Sequence, residues 1–133
     1  MDTSHQLRAA LAPESIAVIG ASDREASRGA PLWKNLISAG FSGRIYPVNP
    51  KYRYLGDIPC YPSIKAIEDH IDLAILAVPT KTIESVLEDI ASHGTRWIAL
   101  APSDASVTSD SNWQAKIVNK AHALGLRLIG TDC

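Results

Sequence analysis

The stretch Ser15-Ile-Ala-Val-Ile-Gly-Ala-Ser22 is the part of this chain best built to hold an anion. Ile16 to Ile19 reads as a short strand buried on both faces, because it is apolar throughout and rich in β-branched residues. Gly20 lets the backbone turn sharply, and Ala21 and Ser22 keep the turn narrow. A helix is expected from about Gly29 or Ala30. A strand, a tight turn and a helix N-terminus direct free N–H groups and the helix dipole at one spot, which suits the phosphates of a nucleotide-like ligand.

Three other stretches close an apolar run with small, polar or proline residues: Val48-Asn-Pro-Lys51, Val78-Pro-Thr80 and Ala101-Pro-Ser103. Any strand end needs turn residues, so each alone signals only a turn. Four together are more informative, because ligands of parallel α/β sheets lie beyond the carboxyl ends of the strands. Gly20 lacks the companion glycines of the G-x-G-x-x-G dinucleotide fingerprint. NAD sites also place Asp or Glu after the second strand to hold a ribose hydroxyl. Here that place reads Asn49, Pro50 and Lys51, with no acid. A lysine there suits a ribose that carries a phosphate, as in NADP or coenzyme A. The bland alternative for Lys51 is a solvated surface lysine.

Alternating strands and helices must position these ends. Leu7, Ala10 and Leu11 have helical spacing ahead of Pro13. Strands are expected at Ser15 to Ile19, Arg44 to Val48, Leu73 to Val78, Trp97 to Ala101 and Arg127 to Ile129, with a short one near Ile58 to Cys60 in an otherwise looped Tyr52 to Tyr61. Trp33, Leu36, Ile37 and Gly40 mark a first main helix. Ser63 to Ile67 suits a brief one. The clearest helix carries Ile83, Val86, Leu87 and Ile90, with Thr80 or Thr82 as cap and Gly94 as stop. Ser111 and Gln114 have capping-box spacing before Ile117, Val118, Ala121 and Leu124, and Gly125 ends that stripe. Continuously apolar strands between amphipathic helices predict a Rossmann-like doubly wound parallel sheet in a three-layer α/β/α arrangement, with about five or six strands.

Composition sets the bounds. At 133 residues the chain suits one domain. Hydrophobic residues make up 46%, charged residues 20%, and the net charge is −1, so bulk electrostatics argue for neither nucleic acid nor membrane as a partner. Two distant cysteines and an N-terminus unlike a signal peptide suggest a reducing cytoplasm.

Other reactive types read as structural. His5, His70, His93 and His122 show no metal-ligand spacing, and His93 suits a helix end. No nucleophile elbow supports a Ser-His-Asp site. Cys60 reads as a packed thiol, Trp33, Trp97 and Trp113 as core or interface, and Glu88-Asp89 as a solvated face. No catalytic and no metal-binding residue is assigned.

Pro13-Glu-Ser-Ile-Ala-Val-Ile-Gly-Ala-Ser22, Asn35-Leu36, Gly40-Phe41, Gly43, Ile45-Tyr-Pro-Val-Asn-Pro-Lys51, Leu76-Ala-Val-Pro79 and Gly125-Leu-Arg-Leu-Ile-Gly130 together resemble the CoA-binding domain of NDP-forming acyl-CoA synthetases. Succinyl-CoA synthetase α-subunits and ATP-grasp-fused protein lysine acetyltransferases share that domain. The resemblance runs from about Leu7 to Cys133. It implies that coenzyme A, or an acyl-CoA, lies across the strand ends. Gly20, Ala21, Ser22, Ser27 and Gly29 would form the phosphate loop. Val48 and Lys51 would meet the adenosine and its ribose phosphate. Val78 and Pro79 would pack the adenine and the start of the pantetheine, with Ala101, Pro102 and Ser103 along the pantetheine arm. Two places depart from the family. Ala101-Pro-Ser-Asp-Ala-Ser106 replaces the usual Ser-Ala-Gly-Phe or Thr-Glu-Gly type loop and looks more like the acetyltransferase-fused subgroup. Gly130-Thr-Asp-Cys133 replaces the common Gly-Pro-Asn-Cys.

The resemblance makes residues 1–12 a lead-in and 13–133 the N-terminal CoA-binding domain of a larger enzyme. That domain is non-catalytic alone, and its phosphohistidine and ATP-grasp partners lie elsewhere. The parent would be an acid–CoA ligase or a protein lysine acetyltransferase. An NADP-binding oxidoreductase fragment and a stand-alone ligand-sensing module are the readings from other classes.

Overall fold

A computed structural model describes residues 13–21, 43–78, 80–100 and 111–129. Seven strands are described: β1 (Ser15–Ile19), β2 (Arg44–Val48), β3 (Tyr54–Leu55), β4 (Ile58–Pro59), β5 (Leu73–Leu76), β6 (Trp97–Leu100) and β7 (Arg127–Ile129). Two α-helices, α1 (Thr80–His93) and α2 (Ser111–Ala123), and a 3-10 turn at Ile64–Ala66 complete the described elements. The expected lead-in helix before Pro13 and the helix marked by Trp33, Leu36 and Ile37 lie outside the described residues.

Five strands form one parallel sheet in the order β2-β1-β5-β6-β7. This is the Rossmann-like, doubly wound arrangement expected from the sequence. β1 lies between β2 and β5, so the chain moves outward to β2 and then returns past β1. The remaining two strands, β3 and β4, form a small antiparallel hairpin. The sequence reading expected one short strand in that stretch. The hairpin stands because Tyr54 pairs with Pro59 and Leu55 with Ile58 around Gly56 and Asp57.

Period-two alternation divides the core between the two sheet faces. Ala17, Ile19, Ala74, Leu76 and Ile98 pack with Ile83, Leu87 and Ile90 of α1 and Ile117 and Ala121 of α2. Ile16, Val18, Leu73 and Trp97 face the other way and cluster with Leu55 of the hairpin. β1 is buried at every residue, which is why it reads as an unbroken apolar run. β5 stops at Leu76, short of the Val78 expected from the apolar run, and β6 is described to Leu100, with Ala101 outside the described residues. α1 already includes Thr82, so that residue sits in the first turn and not at a cap position ahead of it.

The amino ends of the strands are stitched by polar groups. Ser15, buried at 1% exposure, donates its hydroxyl to the His70 carbonyl at 2.8 Å and accepts the Asp72 N–H at 3.0 Å. The His70 ring instead faces the Asp72 carboxylate at 3.1 Å. These three residues are therefore neighbours without the hydroxyl-to-imidazole bond of a nucleophilic triad. Thr95 donates to the Ile71 carbonyl at 3.0 Å, and Nε2 of His93 lies 2.7 Å from the Ile67 carbonyl. Ser15→Ala should lower stability by about 1–2 kcal/mol in urea denaturation, since it removes the buried hydroxyl that bridges the His70 carbonyl and the Asp72 N–H.

Glu88 and Asp89 do more than line a solvated face. Glu88 pairs with Lys120 of α2 at 3.0 Å and Asp89 with Lys65 at 3.2 Å. Both pairs are largely exposed and add little energy.

Candidate functional site

Strand register brings the expected site residues to one edge. Ile19 stands level with Val48 on one side and with Leu76 on the other, and Leu76 is level with Leu100. The residues that follow, Gly20, Asn49 and Ala77, therefore leave the sheet side by side. This edge includes the gap between β1 and β5, where the direction of strand addition reverses. Such a switch point opens a crevice for ligands in doubly wound sheets.

Gly20 has φ +91°, a left-handed backbone that a side chain rarely adopts. A Cβ there would stand 2.3 Å from the Ala77 carbonyl oxygen and 3.1 Å from Cγ1 of Val78. Its N–H donates to the Val48 carbonyl at 2.8 Å, while Ala77 N–H donates to the Ile19 carbonyl at 2.7 Å. Gly20 thus ties β1 to β2 at their ends, Ile19 ties β1 to the residue after β5, and the Gly20 N–H is already taken. Ala21 is fully buried in the cluster with Leu55. Val48 is 3% exposed, with its side chain in the helix-side core, and Val78 is half-buried against that core.

Among the described residues Asn49 links several segments of this edge, although its place in the sequence marks only a turn and a missing acid. Its Nδ2 donates to the Ala21 carbonyl at 3.0 Å and its Oδ1 accepts the Lys51 N–H at 3.0 Å. Its own N–H donates to the Tyr61 carbonyl at 2.8 Å. The side chain therefore ties the loop after β1 to the loop after β2. The only sequence signal for this was an asparagine at a strand end, where its side chain can bond its own backbone two residues on. Lys51 follows on the same turn and is exposed. Ion pairs among the described residues do not include it.

Cys60 lies beneath this turn. Its thiol points at the Asn49 carbonyl at 3.6 Å, and burial pushes its pKa up. A thiol held protonated is a poor nucleophile, so its packed role stands. On the edge strand β2, the hydroxyl of Tyr46 donates to the Asp69 carboxylate, which raises the phenol pKa. Among the described residues no cluster of His, Cys, Asp and Glu could hold a metal, and no helix is long and apolar enough to cross a membrane.

Of the expected site, the structure thus brings Gly20, Ala21, Val48, Lys51 and Val78 to one edge. Ser22, Ser27, Gly29, Pro79, Ala101, Pro102 and Ser103 lie outside the described residues. At the end of β2 an exposed ammonium, Lys51, stands next to a neutral amide, Asn49, where a diol-binding site has a carboxylate.

Residues 14–133 match the family model for the CoA binding domain. The chain belongs to that CoA-binding domain family. Over 129 residues it is 36% identical to the ADP-forming acetate–CoA ligase of Methanocaldococcus jannaschii, which aligns with 97% of this chain and 18% of the ligase. Among solved structures, dinucleotide forming acetyl-coenzyme A synthetase 1 of Ca. Korarchaeum cryptofilum, in complex with phosphate and ADP, superposes with a TM-score of 0.84 at 31% identity, covering 93% of this chain and 27% of that one. A conserved hypothetical protein from Pyrococcus furiosus superposes with a TM-score of 0.71 at 26% identity, covering 86% of this chain and 90% of that one. The CoA-binding domain spans about a fifth of the length of the curated ligases it matches. These likenesses identify it with the CoA-binding region of ADP-forming acyl-CoA synthetases.

Proposed function

We propose that this domain binds coenzyme A, or its acyl thioester, along the carboxyl-end edge of the sheet and catalyses no step by itself. The observation that carries the reading is the level register at the switch point. It sets Gly20 and Ala21, which follow β1, beside the turn after β2 that carries an exposed lysine, with an amide where a ribose-binding acid would stand. Lys51 would pair with the phosphate on the ribose. Val48 and Val78 would shape the adenosine side of the crevice, and Gly20 and Ala21 would bring backbone close to the phosphates. The resemblance extends the phosphate loop to Ser22, Ser27 and Gly29, and the path of the pantetheine to Pro79, Ala101, Pro102 and Ser103.

The parent protein would then make or break an acyl-CoA thioester with a nucleotide, in the cytoplasm. This domain, from about residue 13 onward, would work beside phosphohistidine and ATP-grasp domains. Similarity to ADP-forming ligases supports a ligase parent over an acetyltransferase one.

Calorimetry with coenzyme A, dephospho-CoA, NAD and NADP tests the reading. Coenzyme A should bind most tightly. Lys51→Ala should weaken coenzyme A about tenfold and dephospho-CoA less than about twofold, the scale of one charge-assisted contact. Preference for NADP would move the domain to the oxidoreductase class. Equal losses for both CoA forms would remove Lys51 from the phosphate.

A further inference from the structure

We infer that Asn49 is a positioning residue that clamps the loop after β1 to the turn after β2 for coenzyme A, and does so without setting a negative charge beside the ribose phosphate. The inference rests on the CoA reading above and adds to it a determinant separate from the lysine. Asn49 is the first residue after β2, the place where a carboxylate would accept ribose hydroxyls in a diol-binding site. Its amide is uncharged, and one Nδ2 hydrogen and one Oδ1 lone pair are already engaged within the protein. Nδ2 holds the Ala21 carbonyl at 3.0 Å and Oδ1 holds the Lys51 N–H at 3.0 Å.

Those two bonds need opposite hydrogen-bonding characters in one short side chain. An aspartate keeps the acceptor for Lys51 but turns an oxygen toward the Ala21 carbonyl. It also sets a negative charge two residues from the ammonium that would meet the phosphate. An alanine removes both bonds, which frees the β1 loop from the β2 loop without adding charge. The two substitutions therefore separate charge from alignment. The backbone of Asn49 is held independently, by Tyr61 on its N–H and by Tyr52 N–H on its carbonyl at 3.3 Å. The turn can therefore survive a change of side chain.

The test is calorimetry on the 133-residue chain and its Asn49→Asp and Asn49→Ala variants, with coenzyme A and dephospho-CoA as probes. Thermal melts report that each variant is folded. Asn49→Asp should weaken coenzyme A by about tenfold more than dephospho-CoA, a difference that narrows as salt screens the added charge. Asn49→Ala should weaken both probes by a similar factor. Equal losses in Asn49→Asp, or a difference that salt does not move, would overturn the inference while leaving the CoA reading intact. If Asn49→Asp does not fold, Asn49→Ala decides: binding of both probes unchanged from the unsubstituted chain would overturn the inference. A parent chain that binds neither probe would overturn both readings.

Discussion

Gly20→Ala should be the most damaging single-atom addition at the carboxyl-end edge of the sheet, costing about 2–5 kcal/mol of stability and with it the binding of coenzyme A. Two causes add. The left-handed backbone at φ +91° charges any Cβ roughly 1–2 kcal/mol. The new methyl also has nowhere to go, since the Ala77 carbonyl oxygen would be 2.3 Å away and belongs to backbone. Relieving that overlap means prying β5 from β1 at their ends, where Ala77 N–H reaches the Ile19 carbonyl at 2.7 Å. Overpacking of this kind typically costs about 1–3 kcal/mol. Gly56→Ala is the control, because its φ is +61° but nothing lies within 4 Å of the added carbon. Urea denaturation of the two variants should show the larger loss at Gly20 by about 1–3 kcal/mol. Equal losses would mean that backbone conformation alone matters and that the close approach of β1 to β5 is not rigid.

That contact shows where sequence reasoning reached its limit. β1, β5 and β6 were legible because each is an apolar run closed by Gly or Pro, as suits strands inside a parallel sheet, while the edge strands β2 and β7 each carry an exposed arginine, Arg44 and Arg127, ahead of a shorter apolar stretch. The α1 stripe was legible for the same reason in helical form: Ile83, Leu87 and Ile90 are all fully buried. Strand order was not legible residue by residue. That Gly20 would meet Ala77 depends on β1 and β5 being neighbours although a second strand and a hairpin intervene in the chain. The hairpin itself was partly missed because strands of two residues, one containing Pro59, carry no period. Asn49 was missed as a connector because a turn asparagine and a clamping asparagine look alike until the Ala21 carbonyl is placed beside it. The resemblance to CoA-binding domains, by contrast, was legible because it depends on the order of several short motifs, and the family match over residues 14–133 supports it.

Ile98→Ala should lower stability by about 2–5 kcal/mol yet leave the ratio of coenzyme A to dephospho-CoA affinity unchanged. Ile98 is fully buried on β6, between β5 and β7 and within the cluster that α1 and α2 share. Removing its outer carbons leaves a cavity in the sheet–helix layer, and close packing around it limits collapse. Its neighbours in register, Ala74 and Leu128, lie mid-strand, away from the edge where Lys51 and Asn49 stand. Lys51→Ala should do the reverse, because an exposed lysine contributes little to folding. Thermal melts and calorimetry on the two variants, at a temperature where both are folded, test the division. If Ile98→Ala shifted the affinity ratio as Lys51→Ala does, the ribose-phosphate preference would belong to the packing of the whole sheet. If it lowers stability alone, the preference resides in the few residues that follow β1, β2 and β5.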